Sequence, residues 1–461
     1  RWSDKDTSHV LDYTTIAVPY EMRRIRSLLI LQAGTGMLAS HAISRGVTQV
    51  VAVEPNETAV SMLQDETASR GGSPFLNHFV HVHRMDPRSF LALPDTNRYD
   101  LIMLPTLDAF GGTAGLYALQ EQYALTVEAF VTMWGRLSLD GIICVSSWMD
   151  HPVRNPFKLL ATLVAMLEHS GVSESGLHIA AVRSWGTITF VVKKSPLIPD
   201  ETERTRAFCR RMMFDPALLP DLRKEERAQF NELCDPAFFD FLDAIVSRRQ
   251  SAMLDTYDFN IRPATDERPY FSQFLRLRNI ARLGELFGLR TFPFLELGYL
   301  IVVVTLIQSV VVALVLIIGP LVVSARRWSR KGWTLVYFGA LGAGFMFVEM
   351  VLMQRFILYF GHPVYAAAAV VGVMLMGSGF GSYTSTRLRA VPSTLGRVAG
   401  IVALMLLLFA WVLGPLVSAT VGVPLLLKAL IAFLLMAPTA FMMGMPFPLG
   451  LRFLSERSEH Q

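Results

Sequence analysis

Cysteine is scarce. Three are present in 461 residues, at 144, 209 and 234, and no two stand at CxxC or metal-ligand spacing. A disulfide scaffold and a zinc module are therefore excluded as the basis of the fold. Cys144 lies in an apolar strand pattern and reads as a buried, inert thiol; Cys209 and Cys234 could pair in an oxidising compartment, though nothing local demands it. Charge is also sparse: Asp, Glu, Lys and Arg make up 17% of the chain, and the net charge is only +4. The basic residues stand in short clusters beside apolar runs, which suits membrane topology better than nucleic-acid binding. An initiating methionine and a signal-peptide pattern are absent from the start at Arg1, so the expectation is a longer precursor.

What is abundant is apolar sequence. Hydrophobic residues reach 52%, and they are unevenly spread. Up to about residue 290 polar and apolar stretches alternate; beyond it long apolar runs dominate. Two or three domains are expected. The boundaries are placed at 1–195 for an α/β domain, 196–292 for a charged helical insertion and linker, and 293–461 for an all-α transmembrane domain. Five spans are expected there, at about 296–324, 334–360, 364–385, 398–417 and 423–446, since about 20 apolar residues cross the hydrocarbon core.

The α/β domain opens with a short apolar strand, Leu28 to Ala33, then Gly34-Thr35-Gly36, a helix from about Met37 to Arg45, and a second strand, Gln49 to Val53, ending in Glu54. Glycines let the backbone turn sharply and approach a ligand. The first turn of the helix offers free N–H groups to an anion. Glu54 beside this loop is placed to accept hydrogen bonds from ribose hydroxyls. GTGMLA also fits the dinucleotide pattern G-x-G-x-x-G/A, so NAD stands as an alternative at this point. A third strand, about Phe79 to His83, leads to Asp86; a fourth, YDLIML, leads to PTLDAF; a fifth, DGIICVSSW, follows a helix. Gly34, Glu54, Asp86 and Asp108 all fall at carboxyl ends of strands, where ligands bind in open α/β sheets.

This rhythm resembles the class I S-adenosylmethionine (SAM) enzymes, and the stretch YDLIMLPTLDAFGGTAGLYALQEQYALTVEAF resembles the polyamine aminopropyltransferase (spermidine synthase-like) group in its membrane-fused branch. IRPATDERPYFSQF, residues 261–274, and GMPFPLGL, residues 444–451, resemble the same branch. The resemblance implies a Rossmann-like, methyltransferase-type domain followed by transmembrane helices. It also implies SAM or decarboxylated SAM as donor, no metal, a polyamine or other small amine as acceptor, and the lipid bilayer as the other partner. No nucleic acid is expected, and a homodimer is one option. Gly34, Thr35 and Gly36 would make the donor turn, Glu54 hold ribose, Asp86 hold adenine, and Asp108 orient the amine as catalytic acid–base. Tyr13, Asp266 and Glu267 would contact the acceptor. The chain departs from the group's pattern at Thr35 and Pro105, each standing where an acid is expected, and at Asp12-Tyr13, where a Tyr-Gln pair is expected. A SAM-dependent methyltransferase, or a non-catalytic nucleoside or polyamine sensor tied to transport, are the alternatives.

Within the apolar half, Glu349, Gln354 and Arg355 interrupt long hydrophobic sequence, and such groups need a partner or a cavity. Lys428 is the expected partner of Glu349. Gly377, Gly379 and Gly381 are expected to let helices pack closely. Arg326, Arg327, Arg330 and Lys331, then Arg387, Arg389 and Arg397, then Arg452 and Arg457, share one side by span counting. The positive-inside rule makes that side cytoplasmic, which with one intervening span puts the α/β domain outside. Arg276, Arg278, Arg282 and Arg290 pull the other way. A cytoplasmic α/β domain on an inner-membrane anchor is the expectation, because a donor of this kind is cytoplasmic.

Overall fold

A computed structural model describes residues 9–68, 73–94, 96–107, 118–232, 235, 237–247, 254–279, 297–319, 331–361, 363–420 and 423–459. The chain divides into two compact units: Arg1–Pro87 with Asp95–Leu314, and Arg88–Pro94 with Val315–Gln461.

The first unit is built on eight strands: β1 (Ser27–Leu31), β2 (Gln49–Val53), β3 (Val80–His83), β4 (Tyr99–Leu107), β5 (Leu137–Trp148), β6 (Ile179–Arg183), β7 (Thr187–Lys193) and β8 (Asp215–Leu218). Their order across the sheet is β3-β2-β1-β4-β5-β7-β6-β8. The first five are parallel, and β7, β6 and β8 join antiparallel. Helices α1 (Met37–Ser44), α2 (Glu57–Ala68), α3 (Val127–Gly135), α4 (Asn155–His169), α5 (Pro199–Met212) and α6 (Phe238–Val246) connect or cover them. The central strands are apolar on both faces: Leu28 to Leu31, Leu101 to Leu104 and Ile142 to Val145 are buried without exception. Such runs are what a parallel sheet covered on two sides requires. Sheet order, the β7 hairpin return and the glycine turn after β1 together define a Rossmann-like, methyltransferase-type fold.

The segment expected as a helical insertion also contributes a strand, β8, at the sheet edge. The reason is electrostatic. Asp215, fully buried, lies 3.1 Å from Arg183 on β6 and accepts from the backbone N–H groups of Gln229, Phe230 and Asn231, each at 2.9 Å. Arg183 in turn donates to the carbonyls of Arg227 and Asn231. The polar chain after β8 is thus folded around one carboxylate. Cys209 and Cys144 are free and buried, and Cys234 lies outside the described residues.

Ahead of the second unit's helices runs α7 (Leu297–Ala313), continued by a π-helical turn to Ile318. The helices α8 (Lys331–Phe360), α9 (Pro363–Ser385), α10 (Pro392–Thr420), α11 (Leu425–Met443) and α12 (Pro446–Glu459) follow. Four stretches of helix are long and apolar enough to cross a membrane: Thr334–Phe360, Pro363–Ser385, Pro392–Leu416 and Leu425–Ser455. The first of the five expected spans is described as a shorter apolar helix, Leu300–Leu316, among the described residues. Large apolar side chains point outward all round the unit, including Phe347, Leu407, Trp411 and Leu426. Helices apolar on every face fit hydrocarbon rather than water.

Glycine makes the α9–α11 contact possible. A Cβ on Gly377 would lie 2.6 Å from that of Ala440, and one on Gly381 would strike the Phe441 carbonyl; Gly379 faces open space. Lys428 does not pair with Glu349. Its Nζ donates to the Tyr359 carbonyl at 2.9 Å, at the end of α8. Arg452 does the same at the end of α9, donating to Ser385 and, at 3.0 Å, to Thr386. A cation on the last carbonyls of a helix satisfies orphan acceptors and opposes the negative end of its dipole. Arg355 is exposed and Glu349 half-buried.

Asp215→Asn leaves Arg183 charged and buried without its counter-ion, so the first unit should lose about 3–5 kcal/mol of stability. Unfolding followed by tryptophan emission measures the loss.

Candidate functional site

The loop between β1 and α1 is shaped by three left-handed residues: Gln32 at φ 60°, Gly34 at 54° and Gly36 at 76°. Glycine adopts this region freely; glutamine there stores strain of about 1 kcal/mol. The turn closes when Ala33 N–H donates to the Val53 carbonyl at 3.0 Å and Gly36 N–H to the Ala33 carbonyl at 2.9 Å. Gly36 also has no room for a side chain. A Cβ there would lie 2.7 Å from the Pro74 ring and 3.0 Å from that of Phe75.

Glu54, at the end of β2, holds this loop. Its Oε2 accepts from Gly34 N–H at 2.7 Å, and its Oε1 from Asn56 N–H at 3.0 Å. Asn56 then caps α2 by accepting from Ala59 N–H at 3.0 Å. The carboxylate is buried. Each of its oxygens keeps a second acceptor position, because one amide uses one lone pair. Thr35 is exposed beside it. Asp86 is half-buried, three residues past the end of β3, the strand next to β2 in the sheet. Gly34, Thr35, Gly36 and Glu54 therefore form one turn, with Asp86 at the neighbouring strand end. Asp108 lies outside the described residues; β4 runs to Leu107.

The expected acceptor residues are less tightly gathered. Tyr13 ends a short helical turn, His9–Tyr13, with its side chain 71% exposed. Its neighbour Asp12 is the engaged one. Asp12 Oδ1 lies 2.7 Å from His41 Nε2 and accepts from Arg45 Nε at 2.7 Å; Oδ2 lies 3.0 Å from His9 Nδ1. Burial pulls this carboxyl up, but the hydrogen bonds from His9, His41 and Arg45 outweigh it and hold Asp12 at about 2. Arg45 continues to Glu21 at 3.0 Å, and Glu21 to Arg211 at 2.8 Å. This network ties the chain before β1 to α1, the helix that begins at the glycine loop. Burial pushes the His41 imidazole below its ordinary range, and its Nδ1 is buried without a partner.

Asp266 and Glu267 sit in a tight turn closed by Thr265 and Arg268. Asp266 Oδ1 accepts from the Thr126 hydroxyl at 2.7 Å, and its N–H donates to Glu128 at 2.9 Å. Glu267 is exposed. The whole 264–273 segment docks at the start of α3: Val127 N–H donates to Ala264 and Gln122 N–H to Pro269. The buried Lys158 of α4 clamps it from behind, donating to the carbonyls of Tyr270 at 3.1 Å and Gln273 at 2.8 Å. Since α3 follows β4, its first turn stands at the carboxyl end of the sheet.

There the structure shows a group without an assigned role in the sequence reading. Glu121 is half-buried, with the Tyr270 hydroxyl 3.5 Å away. Burial raises its carboxyl above the usual range, against hydrogen bonds from Tyr123 and Tyr270 that lower it. Burial and the Glu121 charge push the Tyr123 phenol up. No cationic side chain pairs with Glu121 among the described residues. In sequence Glu121 stands out only as part of the stretch that carries the family resemblance; Tyr270 comes from 149 residues away. Among the described residues, no cluster of metal-ligating side chains stands anywhere in the chain.

No family model matches the chain, and no curated protein matches it. Solved structures are similar over part of it. A spermidine synthase in complex with the transition-state analogue AdoDATO is 12% identical over 52% of this chain and 74% of its own, with a TM-score of 0.33. A spermidine synthase from Thermotoga maritima is 13% identical over the same shares, with a TM-score of 0.32. An O-methyltransferase family protein from Burkholderia thailandensis is 13% identical over 42% of this chain and 58% of its own, with a TM-score of 0.28. At such values the class, an α/β protein of methyltransferase-type fold, stands on the strand order and loop geometry described above.

Gly36→Ala combines left-handed strain of about 1–2 kcal/mol with overpacking of about 1–3 kcal/mol, whereas Gly34→Ala meets only the first. Thermal unfolding should separate the two in that order. The pH dependence of stability has a definite sign. Because His41 is held neutral in the folded state, its contribution is complete above the unfolded value of about 6.5 and is lost as pH falls below it. Unfolding midpoints in a pH 8 to 5 series should drop, and His41→Gln should flatten that drop.

Proposed function

We propose that the first unit is a transferase that binds a SAM-type nucleoside at the Gly34–Gly36 turn, and that it moves an aminopropyl group from decarboxylated SAM to a polyamine or other small amine. The observation that supports this reading most is the Glu54 carboxylate, held 2.7 Å from the Gly34 amide with acceptor capacity to spare. A paired set of ribose hydroxyls is the natural donor to such a group. Asp86, at the next strand end, would take the adenine amino group.

In the reaction, the amine lone pair attacks the aminopropyl carbon bound to sulfur. The carbon–sulfur bond breaks, its electrons neutralise the sulfonium, and methylthioadenosine leaves. The amine must first lose a proton, because an ammonium has no lone pair. Asp108 is the proposed group that orients it. Glu121, poised by burial and paired with two phenols, is a second carboxylate suited to hold the acceptor. Asp266, Glu267 and Tyr13 would contribute distal contacts, Asp266 only if Thr126 gives it up. A methyltransferase is the second reading, favoured by Thr35 and Pro105 standing where acids are expected.

The second unit would cross the bilayer of the inner membrane with the first unit cytoplasmic, as its donor requires. Protease protection in sealed vesicles decides the side, and retention in the membrane pellet through an alkaline wash decides the anchoring.

Calorimetry with SAM, decarboxylated SAM and methylthioadenosine tests the donor. Glu54→Ala should weaken donor binding by about tenfold or more, equivalent to about 1.4 kcal/mol. Asp108→Asn should keep donor binding and abolish transfer. Binding of none of the three compounds by the wild type would remove both enzyme readings.

A further inference from the structure

Within the second unit, a cavity of about 720 Å³ opens between α8, α9, α10 and the junction of α11 with α12. Phe345, Val348, Leu375, Leu406, Met443 and Phe447 give it apolar walls. Its depth comes from glycine. Gly342, Gly344 and Gly379 line it, and a Cβ on any of them would meet nothing within 4 Å. The volume is that of a ligand pocket rather than a packing defect.

One end of this groove is basic. Ser382 on α9 and Pro448 on α12 line it, and four residues further along the chain stand Thr386, just past the end of α9, and Arg452 on α12. Arg452 donates to the carbonyls of Ser385 and Thr386, while its Nε is buried with no partner. Arg387 and Arg389 follow at once and are exposed. No carboxylate pairs with these three arginines among the described residues. An apolar slot with Arg387, Arg389 and Arg452 beyond one end matches the two halves of one molecule, a hydrocarbon tail and an anionic head. A second copy of the chain fits less well, because a two-fold contact through this face would bring the same arginines together.

We propose that this groove holds an acyl chain of an anionic phospholipid, with the lipid phosphate against Arg452 and Arg387. The inference rests on the second unit lying in a bilayer. Head-group charge supplies the selectivity and the glycine-lined slot supplies the grip.

The test uses the full chain, purified in mild detergent and titrated with phosphatidylglycerol or phosphatidylcholine, with bound lipid counted by native mass spectrometry. Phosphatidylglycerol should be retained about tenfold better. Gly379→Leu, which projects into open space and improves helix propensity, should leave the unit folded but displace the lipid. Arg387→Gln, which removes a head-group contact and no side-chain bond among the described residues, should lower the preference by about fivefold. Equal retention of both lipids would overturn the head-group assignment, and undiminished retention by Gly379→Leu would overturn the groove. Loss of the chain from the membrane pellet would instead sink the bilayer reading beneath it.

Discussion

One buried carboxylate organises the candidate site. Glu54 bonds the first glycine amide of the loop after β1 and the amide that begins the turn into α2. Two strand ends and two helix entries are thereby fixed by a single side chain. A buried charge is tolerated only when hydrogen bonds replace its water. Here backbone amides do so, and the loop geometry follows from the need to present them. The left-handed Gly34 and Gly36, the strained Gln32 and the Pro74–Phe75 wall against Gly36 are all consequences of holding that turn in one shape.

The same logic recurs at larger scale. Asp12 fastens the chain before β1 to α1, Asp215 gathers the polar segment after β8, and Lys158 clamps the 264–273 segment to α4. In the second unit the cationic side chains are turned onto helix ends. Lys428 and Arg452 each cap a neighbour's last carbonyls. Cations on backbone carbonyls thus serve both units, as Lys158 does in the first and Lys428 in the second, and the first adds carboxylates on backbone N–H groups.

The parallel half of the sheet was legible because strands covered on both faces read as unbroken apolar runs, and because a tight strand-to-helix turn leaves glycines in sequence. Glu54 was legible for the same local reason. The edge of the sheet was not. β8 carries Asp-Pro-Ala-Leu, with no strand periodicity, and exists because Asp215 finds Arg183 from 32 residues upstream. The positive φ of Gln32 has no sequence signature at all. Asp12 was read only as a neighbour of Tyr13, since its partners His41 and Arg45 lie 29 and 33 residues on. The pairing expected between Lys428 and Glu349 failed because sequence reveals opposite charges but not the free carbonyls of a helix end.

The central claim is that the Glu54-bound glycine turn receives an adenosine-type nucleoside. Hydrogen exchange with and without saturating methylthioadenosine tests it most directly, since the amides in question are reported individually. Slower exchange at Gly34 to Gly36 and at Glu54 to Asn56 on adding the nucleoside is the predicted result. Unchanged exchange at these amides, with slowing confined to another part of the chain, would contradict it.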